Sequence, residues 1–185
     1  MKLNHYYPKG SKPFLSLSAL DSEDAISLMH SFASKTELVY KRFKDPKKYL
    51  NDRRQTEDWL RKGFIEKGGN PKNYYPIYFV LGNSPYVFEG YDKNCNIISI
   101  NLDDIAEDQL SFTYPDSMVS RYMLEHKKEI YFKKNYHGIV FTKSEIIDLV
   151  DNFGLPNREW QECPSRKYDF FIEAQLWDKS LLYKS

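Results

Sequence analysis

The longest uninterrupted apolar run in the chain is Ile77-Tyr78-Phe79-Val80-Leu81, or IYFVL in one-letter code. Four of its five residues are β-branched or aromatic, which is typical of a buried β-strand. A membrane-spanning helix needs about 20 consecutive apolar residues, so a run of this length does not predict one. We therefore interpret IYFVL as a buried strand of a globular domain.

Further strands are predicted on both sides of this run. Residues 3–7 and 14–17 flank a turn with two prolines and a glycine, which predicts an N-terminal β-hairpin. Strand composition recurs later in the chain at 86–88, 97–102, 109–114 and 168–177, and two apolar triplets at 130–132 and 139–141 flank another turn.

Amphipathic spacing predicts three helices, at residues 21–34, about 46–67 and 143–152. Ser18 or Asp21 is a suitable N-cap for the first helix. The second begins after Asp45-Pro46, where a proline in the first turn loses no hydrogen bond. Thr142 and Glu145 form a capping box at the start of the third.

The predicted order of elements, in which most of the helices precede most of the strands, indicates an α+β fold. We expect an antiparallel or mixed sheet with an N-terminal β-hairpin and about three helices packed on it. A length of 185 residues suits a single domain over 1–185. Its parts are the hairpin at 1–17, a helical part at 18–70 with a basic segment at 41–73, and a mainly sheet part at 74–185.

Composition limits the class of protein further. Charged residues make up 29% of the chain and hydrophobic ones 41%, which argues against a disordered tail or a membrane bundle. The N-terminus has no apolar leader, and Cys95 and Cys163 lie too far apart in sequence to form a CxxC pair. These features predict a cytoplasmic protein with unpaired thiols and no membrane partner.

Charge is distributed unevenly. Residues 41–73 hold eleven basic and five acidic side chains, a net charge of +6, although the whole chain carries only +1. Such a segment can bind phosphates, because neutralising them releases counterions. The alternative is a solvated helix face with ordinary ion pairs. On the helix predicted over 46–67, we expect Arg53, Arg54, Arg61 and Lys62 to lie on the solvent side.

Candidate chemistry is also present at the two chain ends. His5-Tyr6-Tyr7 lies beside a turn with Lys9 and Lys12, which indicates either a substrate-contacting hairpin or a partly buried His–Tyr pair. Glu173 lies within the apolar run at 168–177 and is either solvated or buried for general acid chemistry, since burial raises a carboxyl pKa.

Other candidates are weaker. The hydroxyl-rich stretch Ser111–Ser117 either binds a phosphate or ribose or is a strand that leads into a turn. Arg53, Arg54 and Glu57 form one helical patch, either an exposed ion-pair set or a phosphate clamp. The four histidines show no metal-ligand spacing, so no metal site or cofactor is expected. The common nucleotide-binding, zinc-protease and hydrolase motifs are absent.

Several stretches resemble a group of small uncharacterised bacterial proteins: the start KLNHYY, then SFTYPDS at 111–117, FTKSEII at 141–147 and IEAQLWD at 172–178. The order of His5, the 111–114 segment and Glu173 resembles ADP-ribosyltransferases, although their Gln/Glu-x-Glu motif is inverted in Glu173-Ala174-Gln175. That likeness implies a ribose contact from His5, a nicotinamide contact from Tyr114 and NAD as substrate. In size and basic–aromatic character the chain also resembles phage or mobile-element proteins that attack RNA, such as some anti-CRISPR proteins.

The sequence therefore favours an RNA-acting protein, either a metal-independent ribonuclease or a factor that induces RNA cleavage, with RNA or an RNA–protein complex as partner. His5 and Glu173 are the expected acid–base pair, with Tyr6 beside them. The expected RNA-binding residues are Lys9, Lys12, Tyr7, Phe14, Lys44, Lys48, Arg53, Arg54 and Arg61. The alternatives are an NAD-dependent ADP-ribosyltransferase-like enzyme and a non-enzymatic inhibitor of a nucleoprotein.

Overall fold

The computed structural model describes residues 1–127 and 131–183, apart from the side chains at positions 160 and 161. Five strands of this part form one antiparallel sheet in the order β3-β1-β2-β5-β4. Its strands are β1 (Lys2–Pro8), β2 (Ile77–Leu81), β3 (Cys95–Asn101), β4 (Leu110–Thr113) and β5 (Glu173–Leu176). The α+β class is confirmed, and IYFVL is the middle strand of the sheet.

The described residues also form six α-helices: α1 (Ser22–Ala33), α2 (Pro46–Glu66), α3 (Pro85–Gly90), α4 (Ser117–His126), α5 (Lys143–Phe153) and α6 (Arg158–Glu162). The three predicted helices are α1, α2 and α5. Asp21 and Asp45 cap the first two, and Thr142 forms the predicted capping box with Glu145. The three additional helices are short, at ten residues or fewer.

The N-terminal hairpin is not formed. All seven residues of β1 pair with β3, and Leu3 and Asn4 also pair with β2, whereas residues 14–17 pair with no strand. Pro13 has no amide hydrogen to donate to a ladder, and Phe14 has a φ of 60° that no strand residue adopts. The segment that follows is a short 3₁₀ helix, Leu17–Ala19.

Other strand predictions also change. Residues 86–88 belong to α3, because Pro85 starts a helix and the Ser84 hydroxyl accepts a hydrogen bond from the Val87 amide. Residues 139–141 contribute a single bridge, between Phe141 and Phe112. The triplet at 130–132 begins outside the described residues, and its last two residues form no strand.

The register divides the sheet into two unlike faces, because directly paired residues share a face and neighbours along a strand alternate. The apolar face carries Leu3, Ile77, Phe79, Leu81, Leu110, Phe112, Ala174 and Leu176, all in one buried cluster. The polar face carries Asn4, Tyr78, Val80, Ser111, Thr113, Glu173 and Gln175.

Helices cover both faces. On the apolar face, Ile146 and Leu149 of α5 join the buried cluster. On the polar face, Leu60 and Phe64 of α2 pack with Trp177, while α1 packs with Tyr6 of β1. The fold therefore has three layers, with the sheet in the middle. None of the described helices is long and apolar enough to cross a membrane.

Candidate functional site

A cavity of about 350 Å³ opens between the polar face of the sheet and the helices that cover it. Its lining comes from β1, β2 and α2, from the loop at 15–18, from residues 38–42, from α3 and from the start of β5. This volume lies at the lower end of the range for small-molecule pockets, about 300–1,000 Å³. The chain segments that meet here are far apart in sequence, so the tertiary fold creates the cavity.

Aromatic side chains supply most of the large surfaces around this cavity. The lining includes Tyr6, Tyr49, Tyr78, Tyr86, Tyr91 and Phe171. Tyr86 is itself stacked on Phe170, with ring centroids 4.0 Å apart, and this contact positions the Tyr86 ring. Walls of this kind suit a flat, partly apolar ligand that can stack on a ring.

Arg53 of α2 is the central charged group. Its guanidinium lies over the Tyr78 ring, 3.7 Å from the centroid. Its Nε lies 3.3 Å from Glu57 Oε1, and its Nη1 lies 4.0 Å from Glu173 Oε2. One guanidinium therefore separates two carboxylates, and all three side chains line the cavity.

Burial changes the acidity of this group of side chains. Burial raises the pKa of Glu57, and the positive charge of Arg53 opposes that change. The Tyr78 hydroxyl donates a hydrogen bond of 2.8 Å to Glu57 Oε1. Burial, and then the nearby charge of Glu173, raises the pKa of Asp116 to about 6. The cluster thus holds more acidic groups than its single arginine neutralises.

A hydrogen-bonded network positions Glu173. Its Oε1 accepts hydrogen bonds from the Ser117 amide at 3.3 Å and from Gln175 Nε2 at 3.2 Å. Gln175 is fixed in turn by the Ser111 hydroxyl, which accepts a bond from the Trp177 indole. The other oxygen, Glu173 Oε2, takes part in neither of these two hydrogen bonds and faces Arg53.

His5 and Glu173 both border the cavity, yet they do not face each other. Glu173 pairs with Val80, and Val80 pairs with Asn4, so these residues share the polar face. His5 is the next residue along β1, and its ring packs against Phe79 on the apolar face, with centroids 5.4 Å apart. The predicted acid–base pair therefore does not match this arrangement.

Both nitrogens of His5 are engaged with the backbone. Nδ1 lies 2.8 Å from the Tyr78 carbonyl and donates to it, because Nε2 accepts from the Phe14 amide at 3.0 Å. Burial lowers the pKa of His5, which favours this neutral form. In this geometry the imidazole holds the 14–18 loop against β2.

The other predicted N-terminal residues are divided between two positions. Tyr6 lines the cavity, and its hydroxyl accepts a hydrogen bond of 3.0 Å from the Ser84 amide. Tyr7 and Phe14 pack around His5, with ring centroids 5.7 and 4.8 Å away. Lys9 and Lys12 are exposed on the turn and do not line the cavity.

The predicted basic residues also have different roles. Lys44 and Lys48 are exposed, and Lys48 is paired with Asp52. The Arg54 guanidinium donates to the Leu20 carbonyl and the Ser22 hydroxyl, both at 2.9 Å. Arg61 lies over the Tyr74 ring, 5.3 Å from its centroid.

Among the predicted RNA-binding residues, only Arg53 reaches the cavity. Its placement on the solvent side of α2 was wrong, since only 14% of its side chain is exposed. Together with Leu50, Glu57, Leu60 and Phe64 it follows the i, i+3, i+7, i+10, i+14 spacing of one helix face. That spacing is the sequence signal that would have identified Arg53 and Glu57 as buried.

The stretch 111–117 is strand β4 followed by the turn into α4, which is the second of the two interpretations offered. Ser111, Thr113 and Ser117 are fully buried and give no access to a phosphate. Tyr114 is also buried, with its ring edge against Tyr136 at 4.5 Å, and does not line the cavity. The nicotinamide contact implied by the ADP-ribosyltransferase likeness therefore has no counterpart in this cavity.

The described residues contain no group of three or more His, Cys, Asp or Glu side chains placed to hold a metal ion. Cys95 and Cys163 are both free thiols. Comparison with known proteins gives no match: no protein-family model, curated protein or solved structure is significantly similar to this chain. The resemblances noted from the sequence thus stay predictions.

Proposed function

We propose that the protein acts on RNA by taking one unpaired nucleotide into the cavity on the polar face. The observation that carries this proposal is the union of aromatic walls with charged groups in a pocket of nucleotide size. Proteins that read single-stranded RNA stack unpaired bases on aromatic rings and hydrogen-bond the edges of those bases. The partner is RNA, either free or within an RNA–protein complex.

The charge around the cavity supports this choice of ligand. Arg42 and Tyr49 line the cavity, and they belong to the same stretch as four exposed lysines. Those lysines are Lys41, Lys44, Lys47 and Lys48. Arg42 and these lysines can hold the phosphates of the RNA that continues beyond the bound nucleotide, while the nucleotide itself lies in the cavity beside Arg53 and the acidic groups.

Glu173 and Arg53 are the groups that we assign to cleavage. Glu173 Oε2 accepts the proton of a ribose 2′-hydroxyl, and the 2′-oxygen attacks the adjacent phosphorus. The bond from phosphorus to the 5′-oxygen breaks, and that oxygen takes a proton from water at the cavity entrance. Arg53 balances the negative charge that develops on the phosphate. The products are a 2′,3′-cyclic phosphate and a free 5′-hydroxyl, formed without a metal ion.

The test is incubation of the purified protein with total bacterial RNA and with a structured guide-like RNA, in the presence of EDTA. We expect discrete cuts with cyclic phosphate ends on a sequencing gel. Glu173→Gln keeps the shape and the hydrogen bonds of the side chain but removes the base, so cutting should fall by a factor of about 100 or more. Asp151→Asn, an exposed position on α5, is the matched control and should cut normally.

Other outcomes separate the alternatives. Intact RNA with a salt-sensitive mobility shift would mean that the protein binds RNA without cutting it, as an inhibitor of a nucleoprotein would. Normal cutting by Glu173→Gln would overturn the catalytic assignment. If the RNA is neither cut nor shifted, the proposal fails, and calorimetry with NAD then tests the ADP-ribosyltransferase alternative.

A further inference from the structure

Strand β3 is an open edge of the sheet. It pairs with β1 on one side, and the order β3-β1-β2-β5-β4 places no described strand on its other side. The opposite edge differs, because Phe112 of β4 exchanges two backbone hydrogen bonds with Phe141. A strand of another chain can pair with an open edge, and proteins usually prevent this with charged residues, prolines or bulges.

Strand β3 has none of these protecting features. Its sequence, CNIISIN, contains no proline and no charged residue. Its pairing with β1 is continuous from Cys95 to Asn101, so no bulge bends the strand away. Ile97 is 46% exposed, although it is a large apolar residue. β3 is therefore a regular, uncharged strand with one side unprotected.

The register with β1 shows which backbone groups of β3 point outward. The Leu102 amide donates to the Met1 carbonyl at 3.0 Å, so the hydrogen-bonded positions of this ladder continue at every second residue, from Ile100 to Asn96. The residues between these positions point away from β1. They are Cys95, Ile97, Ser99 and Asn101. Among the described residues, no backbone group outside the ladder bonds to these four, so their amides and carbonyls are available to a partner.

We propose that β3 pairs edge to edge with β3 of a second copy of this chain. Antiparallel alignment of all seven residues places Ile98 of both copies at the two-fold axis and Ile97 opposite Ser99. All four outward-pointing residues then lie in hydrogen-bonded pairs, and the half-buried Ile98 contacts its counterpart. The two sheets form one sheet of ten strands. Pairing ends at the dimer, because the β4 edge carries the bridge to Phe141.

The charges at the two ends of β3 favour a second copy as the partner. Exposed side chains with a net charge of +1 flank its first residue: Lys9, Asp92 and Lys93. Exposed side chains with a net charge of −1 flank its last residue: Lys2, Asp103 and Asp104. Antiparallel pairing brings the positive end of each copy to the negative end of the other, with Lys93 near Asp103 of the second copy.

Sedimentation equilibrium of the full chain measures this pairing. We expect the mass to rise with concentration from 22.0 kDa towards twice that value. The dissociation constant should lie in the micromolar range, because an edge contact buries little surface. Ile97→Lys places a charge on the edge of each copy, close to its counterpart, and should weaken the dimer by about tenfold or more. Ile65→Lys on α2 is the matched control: Ile65 is 45% exposed, and its replacement should leave the dimer unchanged.

Cysteine crosslinking tests the alignment, in a chain that also carries Cys163→Ser. The two Ile98 residues form a non-hydrogen-bonded pair with Cα atoms about 4.5 Å apart, a separation that suits a disulfide. Ile98→Cys should therefore give a covalent dimer under mild oxidation. The two Ile97 residues are diagonal neighbours about 7–8 Å apart, so Ile97→Cys should not crosslink.

The outcomes are independent of RNA binding, so this proposal and the proposed function stand or fail separately. A mass of 22.0 kDa that persists up to about 1 mM protein overturns the dimer. A dimer that survives Ile97→Lys and that Ile98→Cys does not crosslink overturns the assignment to β3. Crosslinking through Ile97→Cys but not through Ile98→Cys overturns the alignment.

Discussion

The two faces of the sheet show how one set of strands serves two purposes. The apolar face buries rings and aliphatic side chains against α5, and it gains stability from removing them from water. Between the polar face and α2, Glu173 and Gln175 of β5 are buried together with Arg53 and Glu57 of α2, and each of these groups requires a partner. Burial alone therefore does not identify the hydrophobic core of this protein. The polar face of the sheet is nearly as buried as the apolar face, yet it carries the candidate site.

The largest expected effect comes from the apolar face. Phe112 is completely buried, so Phe112→Ala should lower the free energy of unfolding by about 3–5 kcal/mol. Urea denaturation measures this change. Well below the melting temperature the variant should still bind RNA, because Phe112 does not line the cavity. A loss under about 1 kcal/mol would mean that the apolar face is not the main source of stability.

Arg53→Met tests the polar face with a side chain of similar length. It leaves Glu57 and Glu173 without their shared cation, which should cost about 3 kcal/mol at neutral pH. Arg53 lowers the pKa of Glu57, so its loss lets that pKa rise further, and protonation of Glu57 at lower pH should restore part of this stability. Melting curves across the pH range check the prediction, and a deficit that does not depend on pH would contradict it.

Asp116→Asn should change the free energy of unfolding by a smaller amount, and it should stabilise the protein. The folded protein raises the pKa of Asp116 to about 6 from an ordinary value of 3.8, so folding favours the protonated form. That contribution is fully present below about pH 4 and is lost as pH rises through about 6. Asparagine keeps the N-cap of α4 without the charge, since its side-chain oxygen can still accept from the Val119 amide.

We therefore expect Asp116→Asn to stabilise the protein by about 1–2 kcal/mol near pH 7.5 and by little near pH 4. Chemical denaturation at the two pH values measures the difference. Equal stabilisation at the two pH values, or destabilisation at pH 7.5, would contradict this. It would mean that ionisation of Asp116 does not lower the free energy of unfolding.

The smallest effect on stability is expected from the four exposed lysines of residues 41–48. Replacing Lys41, Lys44, Lys47 and Lys48 by glutamine should change the free energy of unfolding by less than about 0.5 kcal/mol per site, because all four are exposed. RNA binding should weaken. The slope of the logarithm of the binding constant against the logarithm of the salt concentration should become shallower by about 0.7 for each lost phosphate contact. The matched variant changes Lys9 and Lys12 instead. If it has the larger effect, RNA lies over the N-terminal turn.

The fold was largely predictable where local signals and tertiary packing agree. The capping box at Thr142 and the Asp45-Pro46 helix start are local and were identified correctly. The return strand at 14–17 was expected from a local turn signal, but β1 instead pairs with β3, about 90 residues further along the chain. A short stretch of sequence does not predict which distant strand it pairs with.

The site was predictable only in part. Glu173 was identified because a carboxylate inside an apolar strand is unusual, and Arg53 because it lies in a basic segment. Their meeting in one cavity depends on how α2 packs across the sheet, which no single segment specifies. His5 was assigned to chemistry from its residue type, whereas the fold uses both of its nitrogens to hold a loop.

Photo-crosslinking tests the central claim most directly. An RNA of five uridines with 4-thiouridine at the centre is irradiated with the protein, and the attached peptides are identified by mass spectrometry. Entry of a base into the cavity predicts crosslinks to lining residues such as Tyr6, Tyr49, Tyr86 and Phe171, which excess unmodified RNA should compete away. Crosslinks confined to residues outside this lining would contradict the claim that the polar-face cavity receives the nucleotide.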